Sequence, residues 1–150
     1  GAYYPLAGST SFAAKPYGMD ASEEKMLLDD GLLFHEPDSP AVLSTGGGRH
    51  WPEGRGVMLL QGSEGGNVWA WINEEEHFKL NIDRKDGKLK QSLTEATAVL
   101  KLLESTVGFA KTQRLGYLTS CPMNLGIAMV ASYVLRLPNL MLAKKELVDW

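Results

Sequence analysis

Apolar positions along this chain change period several times, and each change marks an element. "KLKQSLTEATAVLKLLESTV" places Leu89, Leu93, Ala96, Leu100, Leu103 and Val107 three or four residues apart, the spacing of one helix face. "HFKLNID" instead alternates Phe78, Leu80 and Ile82 with polar neighbours, the pattern of a strand with one wet face. Ahead of it, "GVMLLQ" and "NVWAWIN" are apolar runs separated by "GSEGG", a turn of hairpin length, so three strands are expected to meander here. "DASEEKMLLDDGLL" supplies Asp20 as an N-cap, early glutamates suited to a positive helix end, the cluster Met26-Leu27-Leu28 and Gly31 as a terminator, which predicts a short helix.

Elsewhere the pattern is broken. Residues 1–20 mix Gly, Pro, Ser and Tyr without a period and are expected to be irregular. From His35 to Gly56 prolines and glycines exclude regular structure, apart from a brief strand at Ala41 to Ser44. "RLGYLTSCP" predicts a strand that runs into a Pro-stopped turn at Cys121-Pro122. "GIAMVASYVLRLP", Gly126 to Pro138, is β-branched and apolar and predicts another strand, and "NLMLAKKELVDW" has the composition of a helix. The class that follows is α+β, a mainly antiparallel sheet flanked by helices, in one domain spanning residues 1–150.

Composition narrows the function. With 15 Lys+Arg against 18 Asp+Glu the net charge is -3, which gives no basic surplus for nucleic acid or for an acidic membrane. No apolar run approaches the roughly 20 residues needed to span a bilayer, and "GAYYPLAGST" lacks the regions of a signal peptide, so a soluble, cytoplasmic protein is expected. Cys121 is the only cysteine, which fits a reducing compartment and excludes an internal disulfide framework. His35, His50 and His77 show no metal-ligand spacing, and no metal site is expected. Gly46-Gly47-Gly48 lacks the Lys-Ser/Thr of a phosphate-binding loop and reads as a loop.

Two features could carry chemistry. Glu74, Glu75 and Glu76 interrupt the apolar run "AWINEEEHFKL"; they read either as a solvated hairpin tip or as carboxylates held to bind a cation or accept a proton. Cys121, before a Pro turn, reads either as a small buried apolar residue or as a thiolate tuned by turn amides.

Taken together, "GAYYPL", "WPEGRGV", "VWAWINEEEH", "RLGYLTSCPMNLG" and "LRLPNL", in that order, resemble the phosphagen kinases, the ATP:guanidino phosphotransferases that include arginine and creatine kinases. The resemblance runs from Gly1 to roughly Glu146 and implies part of their C-terminal catalytic domain, an antiparallel sheet flanked by helices. It implies that Glu75 orients a substrate guanidinium and that Cys121 contacts it. A carboxylate pairs bidentately with that planar cation, and a thiolate adds negative charge.

At the phosphate end the sequence departs from the family. An arginine after the Asn-Glu-Glu block is Lys79 here, which keeps charge but loses the fork. An arginine nine residues after the cysteine is Val130, and a histidine that contacts adenine is Leu59. Further clamp arginines and a specificity loop fall outside this sequence. The resemblance with its departures implies a divergent domain, catalytically impaired, that acts as a binding or structural module with Lys79 as a degenerate nucleotide contact. The alternatives are part of an active arginine kinase, using Mg-ATP and a guanidino substrate, and a kinase acting on protein arginines. Self-association or a protein partner is expected through exposed apolar edges.

Overall fold

A computed structural model describes residues 1–62, 66–136 and 138. The turn expected at "GSEGG" and the helix expected over 139–150 lie partly and wholly outside the described residues. The elements are β1 (Ala2–Pro5), α1 (Ala21–Asp29), α2 (Pro40–Ser44), β2 (Gly56–Leu60), β3 (Gly66–Ile72), β4 (Phe78–Arg84), α3 (Leu89–Thr106), β5 (Lys111–Thr112) and β6 (Gly116–Tyr117). The first four strands form an antiparallel sheet in chain order, and β5 and β6 form a small ribbon.

Sheet register explains the alternating sequence. Val57 pairs with Tyr4 and Trp71, and Leu59 with Trp69, so Tyr4, Val57, Leu59, Trp69 and Trp71 share one face. That face packs on the core of Leu6, Met19, Leu27, Phe34 and Val57. On the other face Val68 and Ala70 are buried, paired with Ile82 and Leu80. Gly56 lets the first two strands approach, since a Cβ there would lie 2.5 Å from the Tyr4 carbonyl oxygen and 2.8 Å from the Tyr3 ring.

The short helix forms as its caps predict. Asp20 accepts from the amides of Ser22 (2.8 Å) and Glu23 (2.9 Å), while the Glu23 carboxylate accepts from the Asp20 amide (3.0 Å), a reciprocal capping box. Gly31, at φ 68°, turns the chain out of the helix, and Leu27, fully buried, carries the helix into the core. The longer helix α3 lies against β4, with the Arg84 guanidinium reaching Glu95 at 3.2 Å and Asp86 at 2.7 Å. Leu93 and Leu100 on its apolar face remain exposed.

Four expectations need correction. Residues 2–5 are not irregular but form an edge strand, whose partner lies more than 50 residues downstream and is invisible to local pattern. Ala41 to Ser44 are helical, because Pro40 stands at the first helical position after Ser39 and its fixed φ suits that start. The strand expected at "RLGYLTSCP" shrinks to Gly116–Tyr117, ahead of a single 3-10 turn at Pro122–Asn124. Residues 127–136 form no strand: Ala128 takes φ 51°, which breaks an extended run, and no strand among the described residues pairs with them. Val134 and Leu135 are exposed as a result.

Candidate functional site

The three glutamates sit in a loop, not within a strand. β3 and β4 pair out to Ile72 and Phe78, and the Asn73 amide donates to the His77 carbonyl at 3.0 Å, closing residues 73–77 as the hairpin tip. Asn73 adopts the left-handed region, φ 54°, which Asn tolerates better than most residues. Its Nδ2 donates to the Gly54 carbonyl at 2.8 Å, fastening the tip to the "WPEGRG" loop.

Each glutamate then meets a different environment. Glu74 and Glu75 line an open cleft of about 290 Å³ whose other walls are residues 33–39 and Trp71. Trp71 fixes one wall: its Nε1 donates to the Leu32 carbonyl at 2.7 Å, and its ring lies 5.6 Å from that of Phe34. Glu36 and Asp38 also line the cleft, so its charge is strongly acidic. The Glu74 Oε2 lies 3.8 Å from the Lys79 ammonium, beyond hydrogen-bond reach, and is buried with no hydrogen-bond partner among the described residues. Glu75 has no hydrogen-bond or ion-pair partner among the described residues. Glu76 points elsewhere: Oε2 accepts from the Ser120 amide at 2.8 Å and Oε1 from the Cys121 amide at 3.1 Å.

Cys121 is a free, half-buried thiol at the start of the 3-10 turn. Its carbonyl accepts from the Thr119 hydroxyl at 2.8 Å, and its own amide is held by Glu76. The structure therefore ties the cysteine turn to the glutamate tip through Glu76, which the sequence offered only as one of three candidate carboxylates. Only a tertiary contact across 45 positions distinguishes Glu76 from its neighbours.

At the positions of the expected nucleotide contacts, Lys79 is already engaged, with its Nζ 4.8 Å from the centre of the Trp71 ring and beside Glu74. Leu59 packs against the core from β2, and Val130 is 79% exposed. Below the tip, Arg55 is buried and donates to the carbonyls of His50 (3.4 Å), Glu53 (3.3 Å) and Gly47, fixing the loop that Asn73 also holds. Glu53 gathers the Thr10 amide (3.0 Å) and the hydroxyls of Thr10 (3.0 Å), Ser9 (3.4 Å) and Ser11. The Ser11 hydroxyl and then the Thr10 amide hold the Glu53 carboxyl below its ordinary range. Glu53 has no local sequence signature, because it joins segments more than 40 residues apart, whereas Arg55 staples its own loop through carbonyls two to eight residues away.

Residues 4–149 match the family model of the ATP:guanido phosphotransferase C-terminal catalytic domain. An arginine kinase of Polybetes pythagoricus is 35% identical over 147 residues, covering 98% of this chain and 37% of the relative. A creatine kinase M-type of Tetronarce californica is 32% identical over 145 residues, covering 93% of this chain and 35% of the relative. The chain thus spans little more than a third of the length of these relatives. Among solved structures, the duplicated taurocyamine kinase from Schistosoma mansoni with bound transition state analog components superposes with a TM-score of 0.66 at 30% identity, over 85% of this chain and 16% of that one. Lombricine kinase superposes with a TM-score of 0.59 at 27% identity, over 83% of this chain and 32% of that one. The chain belongs to the ATP:guanido phosphotransferase family, as part of its C-terminal catalytic domain.

Proposed function

We propose that this catalytic-domain portion, residues 1–150, retains the guanidinium end of the family's site, with Glu75 orienting the cation and Cys121 contacting it, and has lost a competent nucleotide clamp. The observation that carries the first half is the Glu75 carboxylate, without a partner among the described residues, in an acidic, Trp-walled cleft. A planar cation with forked donors satisfies such a carboxylate bidentately and packs its face on an aromatic ring. The buried Glu74 Oε2 on the same wall, ion-paired with Lys79 at 3.8 Å and without a hydrogen-bond donor among the described residues, adds an acceptor for a further donor.

Mg-ATP, which supplies the phosphoryl group in this chemistry, does not fit the three divergent positions. Leu59 and Val130 carry no donor, and the Lys79 ammonium is shared between Glu74 and Trp71. If each lost charge-assisted contact is worth ~1.5 to 3 kcal/mol, losing two weakens nucleotide binding by ~10² or more. The domain then acts as a binding or structural module in a reducing, cytoplasmic setting, and the exposed side chains of Ile127, Val130, Val134 and Leu135 support self-association or a protein partner.

Titration of the chain with arginine and with other guanidino compounds tests the reading. Binding that Glu75→Gln abolishes without loss of fold is the expected result; binding unaffected by Glu75→Gln would reject the assignment. A second reading, part of an active guanidino kinase acting on a free or a peptide guanidinium, is favoured by the 35% identity to an arginine kinase. ATP-dependent phosphorylation of arginine by the protein that contains this chain would establish it.

A further inference from the structure

We infer that Glu76 is a positioning residue that sets where Cys121 stands relative to Glu75. The inference rests on the proposed guanidinium site but concerns a residue that touches no substrate. Glu76 spends one carboxylate oxygen on each of two successive amides, Ser120 at 2.8 Å and Cys121 at 3.1 Å. Two acceptors on one rigid plane fix both the distance and the rotation of a peptide segment, whereas a single bond would leave it free to swivel. The other bonds at Cys121 stay within its own turn, its carbonyl accepting from the Thr119 hydroxyl (2.8 Å) and the Asn124 amide (3.0 Å), and among the described residues the Ser120 and Cys121 amides have no backbone acceptor.

The other end of the bracket is firm. Glu76 belongs to a tip closed by the Asn73 to His77 hydrogen bond and anchored to Gly54 through the Asn73 side chain. Glu75, its chain neighbour, faces the cleft. One carboxylate therefore transmits the position of the sheet hairpin to a turn 45 residues away. The block of three glutamates divides its work accordingly. Glu74 stands beside Lys79, Glu75 is offered to the cleft, and Glu76 holds the thiol in place.

Glu76→Gln separates charge and bonding from shape, because the amide side chain keeps one acceptor and presents an NH₂ to the second backbone N–H. Residue-resolved amide exchange reads the bracket directly. In the unsubstituted chain the Ser120 and Cys121 amides exchange slower than that of Thr119, which has no acceptor among the described residues. In Glu76→Gln the amide that loses its acceptor exchanges about tenfold faster or more, and the other, now bonded to a neutral oxygen, exchanges faster as well. Alkylation of Cys121 by iodoacetamide, unambiguous because it is the only cysteine, also changes rate severalfold, while the thermal midpoint holds within a few degrees. Glu76→Asp, which keeps both oxygens, restores at least part of the protection. Unprotected Ser120 and Cys121 amides in the unsubstituted chain would overturn the inference without any variant, as would exchange and alkylation left unchanged in Glu76→Gln. Either result leaves the guanidinium reading standing; loss of that reading shows instead as arginine binding indifferent to Glu75→Gln.

Discussion

Replacing Asn73 probes how the glutamate tip is held. Two separate contributions are at stake: the left-handed backbone at φ 54°, and the 2.8 Å bond from Nδ2 to the Gly54 carbonyl. Losing the bond costs about 0.5 to 1.5 kcal/mol, and placing a Cβ-bearing residue without a local hydrogen bond in the left-handed region costs about 1 to 2 kcal/mol more. Asn73→Ala suffers both, for a total of about 1.5 to 3.5 kcal/mol. Asn73→Gly escapes the strain, but its looser unfolded chain costs about 0.4 to 1 kcal/mol, so it should lose about 1 to 2.5 kcal/mol. Asn73→Asp tolerates the backbone yet sets a carboxylate against a carbonyl oxygen, and should lose about 1 to 3 kcal/mol. Urea unfolding of the three variants gives the order, with roughly 2 to 4 °C of melting temperature per kcal/mol as a cross-check. A glycine variant less stable than the alanine variant would refute the role of the left-handed conformation. An aspartate variant as stable as the unsubstituted chain would refute the role of the bond to Gly54.

Leu27→Ala, which empties a fully buried core position, should cost about 2 to 5 kcal/mol in the same assay, and a loss under about 1 kcal/mol would mean that α1 is not the lid of this core. The Glu53 carboxyl is held below its ordinary value of 4.5, so its contribution to stability is present above pH 4.5 and is lost as pH falls below it. Glu53→Gln should accordingly flatten the acid limb of a stability-against-pH curve, and an unchanged limb would count against the Ser9 to Ser11 cradle. Lys79→Arg restores a fork but leaves Leu59 and Val130 in place, so Mg-ADP affinity measured by calorimetry should rise no more than about tenfold; a larger gain would show that this one position controls the clamp.

Much of the fold is legible wherever local physics decides it. Asp20 and Glu23 announce their capping box by spacing alone, and the three- and four-residue period of Leu89 to Val107 matches α3 to within a residue at each end. The alternation of Phe78, Leu80 and Ile82 likewise becomes β4. Distance along the chain hides the rest. β1 exists because Ala2 finds Leu59, and nothing within residues 1–20 encodes that partner. The apolar run Ala41 to Leu43 looks like a strand until Ser39-Pro40 is weighed as a helix start. The stretch after Gly126 has strand composition, but composition does not supply a neighbouring strand, and Ala128 breaks the extension. The site follows the same rule. The glutamates and the cysteine stand out as residue types, whereas their division of labour depends on the cleft, Lys79 and the Ser120-Cys121 amides, which only the folded chain brings to them.

The central claim, a guanidinium site kept and a nucleotide clamp lost, is tested most directly by calorimetric titration of Mg-ADP into the chain with arginine present. The account predicts binding weaker than about 1 mM, with no improvement from saturating arginine. Micromolar binding of Mg-ADP, strengthened by arginine, would contradict it and establish a working clamp built from residues other than Leu59, Lys79 and Val130.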